Sequence, residues 1–171
     1  MSTPEVRNAI EKITKVLAEQ PQKARSKNPA ATASLEGGLR FQITGPNAEA
    51  ALTDMPHALG GKASAPAPGW LFRASVASCN ATVIAMRAAQ LGITLSTLEV
   101  TVMSESDVRG LLGTDDTVSA GLVGIRTHVK IGATGASAEQ LRRMVSWAEA
   151  HSPIGCTVRD AQTTVVEIEV V

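Results

Sequence analysis

The chain has 171 residues and a formal net charge of zero, with 16 basic and 16 acidic side chains. This balance provides no positive field for nucleic acid or anionic lipid, and the scarce aromatic residues (two Trp, two Phe, no Tyr) remove the stacking platforms of single-strand binders. A chain of this length buries roughly 70% of its unfolded surface, so we expect a fold that needs no disulfide or metal staple.

The expected compartment follows from the start of the chain and from its cysteines. Residues 1–7 lack the basic and apolar regions of a secretory signal. Two cysteines without such a signal indicate a reducing compartment, so we expect a cytoplasmic protein. The most apolar stretch, Trp70–Leu91, contains two arginines, which favours a buried helix of a soluble protein over a membrane span.

The first predicted element is a helix that begins at Thr3-Pro4-Glu5, where a capping hydroxyl, a proline and an acid follow in order. Pro21 ends this helix, and the polar residues 20–32 predict a linker. We therefore expect an N-terminal helix and linker, residues 1–29, followed by a main domain, residues 30–171.

The main domain begins with a predicted half-buried strand, residues 39–44, which alternates apolar and polar side chains and follows Gly37-Gly38. Residues 45–69 predict a long loop, because they contain repeated turn signals: Gly45-Pro46, Pro56, Gly60-Gly61, Pro66 and Pro68. Loops of this length inside a domain tend to be functional.

The next predicted helix, residues 70–91, is apolar nearly all round, so we expect it to run through the centre of the fold. Alternating patterns then predict three strands, with a loop or short helical turn between the first two: residues 97–102, 123–131 and 164–170.

A second core helix is predicted between the last two strands. Ser137 and Gln140 form a capping box at its start, and Pro153 ends it near His151. Helices and strands do not alternate regularly, so the predicted fold class is α+β.

Cys79 lies in the middle of the apolar helix, on a face without a cation. A buried thiol is chemically quiet unless a cation stabilises its thiolate. Because the arginines of this helix lie on a different stripe, Arg40 on the early strand is the candidate cation. Cys156 is distant in sequence, so the two cysteines are either a reactive pair or two small buried residues.

The three histidines do not predict a metal site. His151 and Cys156 match no zinc spacing, and no second close pair of ligands completes a set of four. His128 alternates with Arg126 and Lys130, which predicts a solvated strand face. We expect no bound metal and no bound cofactor.

The order of these features resembles the OsmC/Ohr family (osmotically induced protein C and organic hydroperoxide resistance proteins). The resemblance rests on Asp54-x-Pro56, Gly60-Gly61, the prolines that precede the apolar helix, Cys79, and Ala-Glu-x-His-Ser-Pro-Ile at residues 148–154. It covers roughly residues 30–171 and leaves the N-terminal helix outside.

The resemblance implies a two-layer α+β fold, with antiparallel-rich sheets packed on two central helices, in an intertwined homodimer. It also implies a peroxidase of oxidative-stress defence, in which the Cys79 thiolate attacks the O–O bond of an organic hydroperoxide and Arg40 assists. Cys156 would then form a disulfide with Cys79, and an external dithiol would reduce it. The implied catalytic residues are Cys79, Cys156 and Arg40.

The sequence departs from the family pattern at two positions. The second cysteine of the family commonly stands directly before a proline, where this chain has Ser152, and Cys156 comes four residues later. Peroxidase-competent members also carry a glutamate that orients the arginine, where this chain has Gly69. The alternative is a non-catalytic dimer of the same family that binds a small apolar or thiol-reactive molecule at the subunit interface.

Overall fold

The computed structural model describes residues 4–160 and 162–171. The helices are α1 (Pro4–Glu19), α2 (Pro68–Leu91), α3 (Val108–Leu112), α4 (Ala138–Ala150) and α5 (Pro153–Arg159), with short 3-10 turns at Pro21–Ala24 and His57–Leu59. The strands are β1 (Thr32–Gly37), β2 (Arg40–Thr44), β3 (Ala50–Thr53), β4 (Leu95–Glu105) and β5 (Val123–Ala133). This mixture of helices and small sheets confirms the α+β class.

The described residues form two compact units, which we name by their functional candidates. The cysteine unit comprises residues 4–8, Val76–Thr101 and Thr127–Val171, and it contains both cysteines. The arginine unit comprises Ala9–Ser75 and Val102–Arg126, and it contains Arg40. The boundary between them falls inside α1, α2, β4 and β5.

The core of the cysteine unit lies between α2 and α4. Ile84 and Ala88 of α2 pack with a stripe of α4 whose members are spaced three and four residues apart: Leu141, Met144 and Ala148. Half-buried apolar residues of the paired strands β4 and β5 cover this cluster. Each large apolar side chain buried in this way contributes about 1.5–3 kcal/mol, so the two predicted helices supply the main core of the unit.

The helix α2 buries one stripe and not its whole circumference. Its fully buried residues include Val76, Asn80 and Ile84, each four residues from the next, while Met86 is exposed. Apolar character in this helix therefore extends beyond the face that packs within the described chain. Among the described residues, no helix is long and apolar enough to cross a membrane.

The start of α1 is attached to the end of α2. Arg7 donates from Nε to the carbonyl oxygen of Ala89 (3.0 Å) and from Nη2 to that of Gln90 (3.1 Å). The last carbonyls of a helix have no hydrogen-bond donor within it and carry partial negative charge. The Arg7 guanidinium supplies both the donors and a positive charge. The N-terminal helix ends before Pro21 as the sequence predicts, and its first turns bind its own chain, whereas the predicted capping residue Thr3 lies outside the described residues.

The arginine unit contains an antiparallel sheet in the order β1-β2-β3. Leu35 pairs with Phe41 across the first hairpin, and Ile43 pairs with Ala51 across the second. The sequence predicts only the middle strand. β1 has no apolar alternation because all its residues are exposed, and β3 has only four residues inside the predicted loop.

At the end of the chain, one prediction is confirmed and one is wrong. Pro153 ends α4 as expected, but it also starts α5, because its fixed φ suits the first position of a helix and Ser152 caps the new helix. Residues 162–171, all of which the structure describes, form neither strand nor helix. Their alternating pattern suits a strand, but within this chain the segment has no partner strand.

Candidate active site

Cys79 lies on α2 beside the buried stripe and is half-buried. Its neighbour in sequence, Asn80, belongs to the stripe and is 7% exposed. Successive residues of a helix are about 100° apart around its axis, so the packing of α2 fixes the direction of Cys79 without enclosing it fully. The thiol therefore combines a rigid support with access from outside.

The hydroxyl of Ser152 binds the sulfur of Cys79. Ser152 Oγ donates to Cys79 Sγ at 3.2 Å and accepts a hydrogen bond from the backbone N–H of Gly155 at 3.2 Å. Ser152 is 0% exposed, so this contact is shielded from water. A donor directed at the sulfur stabilises negative charge on it.

The corner between α4 and α5 holds Ser152 in place. The ring of His151 stacks on Trp147 with 3.9 Å between centroids, and His151 Nδ1 lies 2.6 Å from the carbonyl oxygen of Trp147. The guanidinium of Arg87 covers the Trp147 ring at 4.3 Å, so α2 also supports this corner. Ser152 is thus positioned by its helix cap and by a stack of side chains.

Gly155 allows α5 to approach α2 closely. A Cβ at this position would lie 3.2 Å from Ser152 Oγ and 3.4 Å from Asn80 Oδ1, which is closer than ordinary packing. Among the described residues, Asn80 Oδ1 is a buried oxygen without a hydrogen-bond partner. An unsatisfied acceptor of this kind costs about 1–3 kcal/mol of folding free energy.

A small cavity adjoins the residue that follows Cys79. Its volume is about 90 Å³, and its lining is partly apolar: Asn80, Ile84, Thr127, Val129, Val145 and Glu149.

Cys156 lies on α5, one turn after Ser152, and its sulfur has other partners. Cys156 Sγ donates to the carbonyl oxygen of Ala150 at 3.4 Å and accepts from Arg159 Nη2 at 3.1 Å. Both cysteines are free thiols. The structure therefore brings Ser152 into contact with Cys79, whereas Cys156 connects the end of α4 to the last turn of α5.

Arg40 is held in the arginine unit by a carboxylate and a hydroxyl. Its Nε donates to Glu36 Oε2 at 2.7 Å, and its Nη1 donates to Ser64 Oγ. Glu36 and Arg40 flank the tight hairpin at Gly37-Gly38. Glu36 therefore supplies a carboxylate to this arginine from β1. Their positions on either side of the glycine pair could have indicated this contact.

Asp54 holds the long loop in its folded shape. Its carboxylate accepts from the backbone N–H groups of Met55, Lys62 and Ser64 and from the Ser64 hydroxyl (2.8 Å). These donors, above all the Ser64 N–H and then its hydroxyl, lower the pKa of Asp54 to about 2. Ser64 thus connects a fixed negative charge to the Arg40 guanidinium.

The Gly60-Gly61 pair allows this loop to close. A Cβ on Gly61 would lie 1.8 Å from the carbonyl oxygen of Met55, a distance that no side chain can occupy. The same carbonyl accepts from the N–H of Ala63 at 3.0 Å. The motif Asp54-x-Pro56 with Gly60-Gly61 is therefore the scaffold that positions Ser64 and, through it, Arg40.

The histidines have other roles in the described part of the chain. His57 Nδ1 lies 3.1 Å from the carbonyl oxygen of Gly61, His151 stacks on Trp147, and His128 is exposed on β5. Within residues 4–160 and 162–171, no group of three or more His, Cys, Asp or Glu side chains could hold a metal ion.

Comparisons with known proteins agree on one family. The model of the family described as OsmC-like protein matches residues 61–168. An OsmC-like protein from Mycoplasma pneumoniae has a similar structure, with a TM-score of 0.68 and 17% identity over 80% of this chain and 91% of that chain.

Two solved structures named as organic hydroperoxide resistance proteins are also similar. The OsmC protein from Legionella pneumophila has a TM-score of 0.56 at 22% identity, covering 79% of this chain and 91% of its own. OhrB from Bacillus subtilis has a TM-score of 0.52 at 20% identity, covering 79% and 93%. No curated protein matches the chain. At these identities the solved structures establish the fold alone.

Asp54→Asn tests the loop scaffold. The pKa of the Asp54 carboxyl is about 2 in the folded chain and has an ordinary value of 3.8. Its contribution to stability is therefore complete above about pH 4 and is lost as the pH falls towards 2. We expect Asp54→Asn to lower the free energy of unfolding at pH 7 and to flatten its dependence on pH between 4 and 2, measured by denaturant titration. The exposed Asp116→Asn is the matched control, and equal losses in both variants would contradict this role.

Proposed function

The chain belongs to the OsmC family, whose model matches well over half of its residues, and on that premise we propose that it is a thiol-dependent peroxidase. It reduces organic hydroperoxides in defence against oxidative stress. The observation that carries the proposal is the half-buried Cys79 thiol with the Ser152 hydroxyl directed at its sulfur. A thiol with a fixed donor on a rigid helix is prepared to become a nucleophile.

The proposed reaction transfers two electrons from sulfur to peroxide. The Cys79 thiolate attacks one oxygen of the O–O bond, the S–O bond forms as the O–O bond breaks, and the alkoxide takes a proton to leave as an alcohol. Cys79 becomes a sulfenic acid. The hydroxyl of Ser152 remains available to donate to this oxidised sulfur group.

Arg40 is the cation that we assign to this reaction. A guanidinium stabilises both a thiolate and a departing alkoxide, and it does so best when it does not have to reorganise. The contacts from Glu36 and Ser64 support this assignment because they fix two edges of the planar group. The hydrogen bonds that lower the pKa of Asp54 to about 2 also hold the supporting loop closed.

The preference for organic hydroperoxides is supported by the surroundings of α2. Ile84, Val129 and Val145 contribute apolar surface to the cavity beside Asn80. An alkyl group would gain from apolar contact that hydrogen peroxide cannot make.

A second copy of the chain is the proposed partner of residues 162–171. Four apolar residues of this segment are 80–89% exposed: Val165, Val166, Ile168 and Val170. Alternating β-branched residues suit a strand, and an exposed apolar segment of this kind is stabilised by pairing with a strand edge. A homodimer in which each subunit donates this segment to the other would satisfy that requirement.

The proposed reductant is an external dithiol. Turnover needs two electrons for every hydroperoxide reduced, and one dithiol supplies both when it becomes a disulfide.

Replacement of the nucleophile tests the proposed activity. We expect the protein with dithiothreitol to consume cumene hydroperoxide and to form a dimedone adduct at Cys79 during oxidation, and Cys79→Ser to abolish both. Peroxide loss is measured colorimetrically and the adduct by peptide mass mapping. If the unmodified protein shows no turnover but binds cumene hydroperoxide in a fluorescence titration, the result would instead support the non-catalytic binding function.

Arg40→Ala tests the assigned cation. Loss of one preorganised donor to a developing oxyanion typically costs about 10²–10³-fold, so we expect a fall of this size in kcat/KM for cumene hydroperoxide. Arg126→Ala removes an exposed arginine of the same unit and should leave the rate unchanged. Equal rates for the two variants would exclude Arg40 from the reaction.

Polar substitutions in the C-terminal segment test the dimer. Val166→Gln with Ile168→Gln should raise the dimer dissociation constant at least about tenfold, because each apolar side chain loses its burial. Glu167→Gln with Glu169→Gln, on the alternate face, is the control. Light scattering after size exclusion gives the mass, and an unmodified protein that remains monomeric at every concentration would contradict the proposal.

A further inference from the structure

We infer that a thiol from outside the chain attacks the oxidised Cys79 directly, without an intervening disulfide to Cys156. This inference rests on the proposed function, because it concerns the sulfenic acid that peroxide reduction leaves on Cys79. It identifies the species that the reductant must recognise: an oxidised Cys79 within the site, and not a disulfide within the chain.

The group in contact with Cys79 Sγ is a hydroxyl. Ser152 Oγ is 3.2 Å away, and Ser152 is 0% exposed, so it occupies the space next to the sulfur. A sulfenic acid condenses with a thiol to form a disulfide, and a serine hydroxyl does not replace the thiol in this reaction. Ser152 can stabilise the oxidised sulfur by a hydrogen bond, but it cannot resolve it.

Cys156 is engaged elsewhere. Its sulfur accepts from Arg159 and donates to the carbonyl oxygen of Ala150, so it belongs to the corner between α4 and α5. A disulfide requires an S–S length of about 2.05 Å and narrowly defined Cβ positions. Joining Cys156 to Cys79 would require both contacts to break and the Ser152 side chain to leave the sulfur.

A thiol from outside the chain can reach the sulfur, because Cys79 is only half-buried. The sulfenic acid condenses with one thiol of a small dithiol, which forms a mixed disulfide and releases water. The second thiol of the dithiol then attacks the dithiol's sulfur in the mixed disulfide. Cys79 leaves as a thiol, and the reductant becomes a cyclic disulfide.

The products of one turnover without reductant test the inference. One equivalent of cumene hydroperoxide is added to the reduced protein, followed by dimedone trapping, intact mass measurement and mapping of any bridge. We expect a sulfenic acid on Cys79, which dimedone converts into a stable adduct. Cys156 should remain a free thiol. Cys156→Ser should give the same product, and its kcat with dithiothreitol should stay within about twofold of the unmodified protein.

Ser152→Cys is a variant in which we expect a disulfide with Cys79, in contrast to the unmodified protein. A thiol introduced where the hydroxyl contacts Cys79 should form a disulfide with Cys79 on oxidation, either by the hydroperoxide or by diamide. The diamide reaction tests the geometry of this pair even without peroxidase activity.

A Cys79–Cys156 disulfide in the unmodified protein, or a loss of turnover of about tenfold or more in Cys156→Ser, would overturn the inference. An unmodified protein in which Cys79 remains a free thiol after addition of the hydroperoxide would overturn the proposed function itself. The two failures are therefore distinguishable.

Discussion

The hydrogen bond from Ser152 Oγ to Cys79 Sγ is the contact on which the candidate site depends. It joins the middle of α2 to the cap of α5, and it exists because three local features coincide. Pro153 starts α5 directly after α4, Ser152 caps the new helix, and Gly155 lets the helix approach Asn80. The core contact between Ile84 and Met144 holds α2 against α4, and α5 begins directly after α4.

In the arginine unit, hydrogen bonds likewise fix the position of one side chain, the guanidinium of Arg40. A buried carboxylate at Asp54 collects backbone N–H groups of the long loop, and Ser64 transmits that order to the guanidinium of Arg40. Glu36 fixes the other edge across the hairpin. The absence of a carboxylate at position 69 therefore does not leave the arginine without orientation.

The sequence was sufficient for elements whose signals are local. The capping box of α4, the end of α1 and the span of α2 agree with the structure, because caps, prolines and apolar periodicity act within one element. It was insufficient where a feature depends on a partner: β1 lacks any apolar pattern of its own, and the strand predicted at 164–170 has a pattern without a neighbour. For the candidate site, Cys79 and Arg40 could be selected from the sequence, whereas the contact of Ser152 with the thiol depends on how α5 packs and on Pro153 starting a helix.

The central claim is that this supported thiol reacts with organic hydroperoxides, and its rate of oxidation tests the claim most directly. The measurement is the second-order rate constant for loss of the Cys79 thiol in rapidly quenched samples, with cumene hydroperoxide and with hydrogen peroxide, beside free glutathione. We expect a rate constant far above that of glutathione, and a higher one for cumene hydroperoxide than for hydrogen peroxide. A rate no faster than that of glutathione would contradict it.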